Sequence, residues 1–246
     1  MLRIYTIILL ALLTVSCYSG NEKKSNAPLE LIARFNIDVP EPSGLTLDYD
    51  GTLWCVSDKN GHVYHLDTTG AVLDKFDLNL KDLEGITVID SFRLAVVSES
   101  KNLLAFINRN GDILAEEKIK YKNKSNSGFE GITYSIKEGL IFILNEKKPG
   151  ALLGINENFV LTEEVELGFL KDYSGIYYSD LKKEFWILSH ESKTLLLLNR
   201  DYEKLREFKF NTPQMEGIAV DFTNSRLYIV SDPEEKLFVY KINKYL

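Results

Sequence analysis

The chain has 246 residues, 45% hydrophobic and 11% aromatic, enough for one large domain or two small ones, with a sizeable core. Its 29 Lys+Arg against 36 Asp+Glu leave a formal net charge of -7, which argues against a nucleic-acid partner that would need a basic face. Two Cys exclude a disulfide-stapled scaffold and a thiolate zinc site, and two Met with six Pro argue against a Met-rich adaptor surface or a proline-rich linker protein.

At the start, MLRIYTIILLALLTVS (1–16) places Arg3 ahead of an apolar run from Ile4 to Val15. The run is too short for a bilayer span of about 20 residues and has the length and flanks of a secretory signal. It stops at Thr14-Val15-Ser16-Cys17. A small residue directly before a Cys after such a run resembles the bacterial lipobox, which implies cleavage before Cys17 and acylation of its thiol. The Leu usual at the third position before the Cys is displaced to Leu13, with Thr14 in its place. Ordinary signal-peptidase cleavage, leaving a soluble exported protein, is the alternative. The organisation expected is a lipoprotein signal peptide (1–16), a lipid-anchored polar linker (17–28) and one domain (29–246), held on the non-cytoplasmic side of a membrane in the bacterial cell envelope. Cys55, in the apolar run LWCV, would then be the only thiol of the mature chain, buried and inert.

Five segments align along the rest of the chain: PSGLTLDYDGTLWCVSD (42–58), LEGITVIDSFRLAVVSE (83–99), FEGITYSIKEGLIFILNE (129–146), YSGIYYSDLKKEFWILSH (173–190) and MEGIAVDFTNSRLYIVSD (215–232). The shared Gly falls at 44, 85, 131, 175 and 217. Each unit reads as four strands: a short strand A after the Gly, a polar turn, an apolar strand B, an apolar strand C such as NLLAFIN or TLLLLN, and an alternating, charged strand D such as VLDKFDL (72–78) or KLREFKF (204–210). Alternation fits an outer, half-exposed strand, and continuous apolarity fits interior strands covered on both faces. Four-stranded units repeated at this period predict an all-β, five-bladed β-propeller without helices. The last unit lacks a strand D, and LELIARFNID (29–38) has strand-D character but no unit of its own. The N-terminal strand is therefore expected to close the fifth blade, which removes an exposed edge. The Tyr121–Gly128 stretch (YKNKSNSG) reads as a solvated loop or as an overhang of the channel mouth.

In such a ring, equivalent positions encircle the axis. The residues before the shared Gly are Ser43, Glu84, Glu130, Ser174 and Glu216, and those at the end of strand B are Asp58, Glu99, Glu146, His190 and Asp232. Strand B runs antiparallel to A, so both sets are expected at one channel mouth, with no Lys or Arg among them. Three axial glutamates raise one another's pKa and need protons, bases or a cation. Carboxylate oxygens with the two Ser hydroxyls suit Ca²⁺, whereas the lone His190 is a poor basis for a metal that prefers imidazole. The alternative is that the Glu side chains accept backbone N–H bonds from the next blade and act as latches.

Other motifs are weak. There is no G-x-S-x-G, P-loop, G-x-G-x-x-G or H-E-x-x-H. His62 and His65 read as outer-surface residues, and Asp48-Tyr49-Asp50-Gly51 reads as a hairpin turn that only echoes part of an EF-hand loop.

EPSGLTLDYDGTLWCVSD, KDLEGITVI, GFEGITYS, DYSGIYYS and QMEGIAVD resemble the SdiA-regulated family of bacterial envelope proteins, distant relatives of NHL-repeat propellers. The resemblance implies a five-bladed propeller with a Ca²⁺ site at Glu84, Glu130 and Glu216, and it supplies no substrate. The reading is a lipid-anchored, Ca²⁺-binding interaction module, expected to be a monomer, for an envelope protein or small ligand. Its rivals are a Ca²⁺-dependent lactonase or esterase with His190 as proton carrier, and a metal-free scaffold.

Overall fold

The structure, a computed structural model, describes residues 27–121, 128–146 and 150–243. The signal peptide, Cys17, most of the linker and the centre of the Tyr121–Gly128 stretch lie outside the described residues. Among the described residues every regular element is a strand, and the strands form five four-stranded antiparallel sheets. These are the blades of a five-bladed propeller. The innermost strands, Pro42–Leu47, Leu83–Val88, Phe129–Ser135, Ile176–Ser179 and Met215–Asp221, follow the shared-Gly segments.

Burial follows the sequence pattern. Strand B of the fourth blade, Glu184–Ser189, and strand C, Thr194–Asn199, are buried on both faces over most of their length. The outer strands are exposed; that of the second blade, Ile113–Lys118, is exposed throughout. The core is not central. Five apolar clusters each fill the wedge between two adjacent blades, and one of them joins Leu45, Leu53 and Tyr64 of the first blade to Tyr228, Val230 and Val239 of the fifth. Cys55 lies in that wedge, fully buried, and burial pushes its thiol far above the usual range, so it is inert.

Ring closure uses the N-terminal strand as expected. Leu29–Asn36 pairs antiparallel with Lys236–Ile242, from Leu29 opposite Ile242 to Asn36 opposite Lys236. Asn243 N–H donates to Pro28 O at 3.0 Å, so Pro28, at the end of the expected linker, belongs to the domain.

At the axis the blades touch backbone to backbone. A Cβ on Gly44 would stand 2.7 Å from Gly85 Cα, one on Gly85 would stand 2.8 Å from Glu130 O, and one on Gly217 would stand 2.6 Å from Leu45 N. Close approach, not unusual φ, requires glycine here. At the far end of strand A, the face opposite the Gly-preceding residues, cations clamp neighbouring blades. Arg109 holds Asp48 with both terminal nitrogens, Arg93 reaches Asp90 at 2.7 Å and Glu157 at 2.9 Å, and Arg200 reaches Glu163 at 2.6 Å and Glu138 at 2.8 Å.

Gly175→Ala, whose Cβ would collide with the carbonyl of Glu216, is expected to destabilise the domain by about 1–3 kcal/mol in urea unfolding. Gly168→Ala, with open space around its Cβ, should stay within about 0.5 kcal/mol of the parent.

Candidate functional site: an acidic cup on the propeller axis

Each inner strand starts, and each strand B ends, at the same end of the channel. There a cavity of about 130 Å³ opens to solvent, lined by Glu41, Asp58, Glu84, Glu130, Glu146, Glu216 and Asp232 together with Ser43, Ser174 and His190. Among the described residues the ten repeat positions thus converge on one mouth, with one exception. Glu99 is not part of the cavity wall; it packs against Gly128, whose backbone N–H it accepts. Beneath the acidic ring, Leu45, Ile86, Ile132, Ile176 and Ile218, each directly after a shared Gly, border a void of only about 10 Å³. That is at or below the space of one water, so the channel is a cup with an apolar floor.

The two serines act as blade-to-blade latches. Ser43 Oγ donates to Leu83 O at 2.5 Å and Ser174 Oγ donates to Met215 O at 2.6 Å, each reaching the next blade. Glu84 and Glu130 do not share this role: neither has a hydrogen-bond donor among the described residues. Burial, followed by the charges of Asp58, Glu99 and Glu216, raises Glu84 to about 9. Burial, followed by Glu84 and Glu146, pushes Glu130 well above the ordinary carboxylate range. Asp58, Glu99 and Asp232 are raised too, each by burial first and neighbouring acids second. Lys59, 2.7 Å from Glu41, is a cation at the rim, and it is exposed.

The fourth blade departs from the others. In the first, second and fifth blades the residue three before the shared Gly has positive φ: Glu41 at 45°, Asp82 at 53° and Gln214 at 30°. The carbonyls of Glu41 and Asp82 accept the N–H of Asp58 and Glu99, at 3.2 and 2.9 Å, and those of Pro40, Lys81 and Pro213 accept the strand-B Ser57, Ser98 and Ser231. In the fourth blade the fully buried Asp172 carboxylate replaces these carbonyls. It accepts the Ser189 hydroxyl, His190 N–H at 3.1 Å and Glu191 N–H at 3.2 Å, and it lies 3.0 Å from His190 Nδ1. Glu216 Oε1 is 3.6 Å from the same nitrogen. A buried carboxylate therefore orients the one imidazole of the cup, the arrangement that positions a histidine for proton transfer. Asp172 escapes a reading by repeats because its equivalents, Glu41, Asp82, Gly128 and Gln214, share no chemistry.

A second cluster lies at the opposite face. Asp48, Asp50 and His65 are the described trio of potential metal ligands whose atoms fall within 4.8 Å of one another. Its groups are already engaged. Asp48 is bound by Arg109, Trp54 Nε1 at 2.8 Å and Tyr49 N–H; burial pushes its carboxyl up, but these donors outweigh burial and hold it below the usual range. His65 bonds Thr52 Oγ1 at 2.7 Å and stacks on Trp54 with ring centroids 4.2 Å apart. The cluster is an interblade clamp and a turn network, and His65 is half-buried rather than an outer-surface residue. The cup acids differ: no three of them bring ligand atoms that close together, and no Lys or Arg stands among the residues that line the cup with them.

Replacing Asp172 by Ala strands three donors, and the expected loss is about 3 kcal/mol or more in urea unfolding. A second expectation concerns pH. Glu84 keeps its proton up to about 9 in the fold, against 4.5 for an ordinary glutamate. The folded state thus binds more protons over that window, and stability present below pH 4.5 is lost as pH rises through about 9. In chelator, Glu84→Gln should flatten this decline and raise stability at pH 8 by at least about 1 kcal/mol, read from melting at a series of pH values.

Among solved structures, a glutaminyl cyclase from Myxococcus xanthus superposes with a TM-score of 0.70 at 13% identity, covering 87% of this chain and 95% of that one. A virginiamycin B lyase from Staphylococcus aureus gives 0.53 at 17% identity, covering 82% of this chain and 66% of that one. A streptogramin B lyase gives 0.51 at 16% identity, covering 88% and 74%. At these identities the likeness is one of fold. The SdiA-regulated family model matches residues 34–241, the span from the closing strand to the last strand of the fifth blade, and the chain belongs to the SdiA-regulated family.

Proposed function

We propose that the chain is an exported, lipid-anchored propeller whose acidic cup holds Ca²⁺ and which serves as a binding or interaction module at the cell envelope. The observation that carries the calcium reading is the cup itself: seven carboxylates over an apolar floor, with no Lys or Arg among the lining residues. Such a donor set suits a hard cation that takes six to eight oxygens in flexible geometry. Glu84, Glu130 and Glu216 would hold it, with Asp58, Glu146 and Asp232 close enough to the mouth to hold its waters. When bound, the ion supplies positive charge to a ligand's carbonyl or carboxylate oxygen. The protein's own groups do the rest: the serine latches fix the ring, the floor excludes water from below, and Asp172 fixes the imidazole of His190. Export and anchoring are supported by the apolar run ending at Ser16-Cys17.

One observation favours a second reading. His190, held from behind by buried Asp172, lines the same mouth, and the fold is shared with proteins described as a glutaminyl cyclase and as lyases. A hydrolase of lactones or esters would use His190 as its proton acceptor. Fold alone does not choose between the readings.

Thermal melting in Ca²⁺ and in excess chelator tests the first reading. An ion bound only by the folded state adds RT ln(1 + [L]/Kd), about 2.7 kcal/mol at a hundredfold excess over Kd. The expected result is a calcium-dependent rise in Tm that Glu130→Gln abolishes and His190→Gln retains. An unchanged parent Tm overturns it. Turnover of lactones or esters that requires both calcium and His190 would establish the second reading instead.

A further inference from the structure

The face opposite the cup carries the A–B hairpin tips, and in every blade the tip holds an apolar or aromatic residue: Tyr49, Phe92, Ile136, Leu181 and Phe222. Four of them stand far out, with Tyr49 61%, Phe92 77%, Ile136 59% and Leu181 80% exposed. Phe222 is partly covered by Trp186 and by the Lys182 ammonium 4.7 Å from its ring centroid. Strand A is the innermost strand of each blade, so these tips form a ring around the axis and not scattered surface residues. Isolated exposed apolar side chains are ordinary, but one in the A–B turn of all five blades is an arranged surface.

The chain reaches the domain on this same face. Leu29 pairs with Ile242, at the end of strand C remote from the cup, and Asn243 bonds Pro28 there. Nine residues separate Cys17 from Ala27, a reach of at most about 35 Å when extended. A tether of that length delivers the face to the bilayer without fixing its orientation. Something on the domain must do that, and the apolar tips are placed to do it.

We propose that the ring of hairpin tips is a membrane-docking face: Tyr49, Phe92, Ile136 and Leu181 dip into the lipid interface and hold the acidic cup pointing away from the bilayer. This rests on the anchor reading above for delivery, while the contact itself is made by the tips. Lipid is favoured over a second copy because the chain enters the domain on this face, within a short tether of the acylated residue. Shallow apolar insertions combined with one acylated residue are the kind of two-signal attachment that holds a domain stably at a bilayer.

The test uses the full chain extracted from bacterial membranes and reconstituted into phosphatidylethanolamine–phosphatidylglycerol vesicles containing spin-labelled lipid. Mass spectrometry of Cys17 reads acylation independently. A fluorophore is placed at Leu181→Cys on the tip face or at Ser100→Cys, an exposed turn residue on the cup face. Lipid quenching at position 181 well above that at 100, reduced about twofold or more by Phe92→Ser with Ile136→Ser, is the expected result. An acylated Cys17 with equal quenching, with none, or with more at position 100 overturns the docking face and leaves the anchor standing. An unmodified Cys17 removes the anchor; quenching at 181 on added vesicles then still sustains the face, and its absence overturns it. Self-association in vesicle-free solution that Leu181→Asp abolishes would overturn the lipid assignment in favour of a second copy. Melting of each variant without vesicles verifies that these exposed substitutions leave the fold intact.

Discussion

A side chain on Gly44 would begin 2.7 Å from the Cα of Gly85, and one on Gly217 would begin 2.6 Å from the backbone of Leu45. Five strands can approach one axis this closely only where there is no Cβ, and the rest of the molecule depends on that approach. It sets the residue before each glycine at the mouth of the channel and the residue after it on the axis. The first set supplies Glu84, Glu130 and Glu216 and the second supplies Leu45 and four isoleucines, so an acidic cup and its apolar floor come from one local pattern repeated around a ring. The wedges between blades stabilise the ring, and the closing pairing of Leu29–Asn36 with Lys236–Ile242 makes it continuous.

The same convergence concentrates like charge. Elsewhere in the molecule buried or half-buried acids meet arginines: Asp48 meets Arg109, Glu157 meets Arg93, and Glu138 with Glu163 meets Arg200. At the cup they meet one another, and burial together with mutual repulsion pushes Glu84 and Glu130 toward their protonated forms. An arrangement that costs stability and is confined to one mouth is the mark of a functional site. The two ends of the propeller are thereby divided. One gathers acids around a lining that holds no Lys or Arg, and the other is clamped by interblade ion pairs and fringed by apolar tips.

The sequence carried most of this architecture because a propeller repeats it five times. The glycine spacing, the apolar strands B and C and the orphan strand at 29–38 led to blade number, strand order and closure, and the ring positions led to the cup. What escaped was whatever one blade does alone. Asp172 substitutes a side chain for a carbonyl that its neighbours supply from backbone at positive φ, and no repeat average reveals that. The withdrawal of Glu99 toward Gly128 depends on a glycine that only the second and third blades bring together. The pairing of Asp48 with Arg109 joins residues from different blades at turns of unlike sequence, so the hairpin turn at Asp48-Tyr49-Asp50-Gly51 was legible and its role as a clamp was not. The serines looked like oxygen ligands by position and serve as latches, because the next blade's carbonyl lies within 2.5–2.6 Å of each hydroxyl.

The central claim is that burial and like charge keep protons on Glu84 and Glu130 and that a bound cation displaces them. Titration calorimetry of Ca²⁺ into the protein at pH 7, in two buffers of different ionisation enthalpy, measures binding and proton release together. The account predicts saturable binding of Ca²⁺ with about one or more protons released per ion, as protonated glutamates of the cup ionise around the bound charge. Binding without proton release would contradict the proposed electrostatics of the cup, and the absence of any binding heat in both buffers would contradict the calcium site itself.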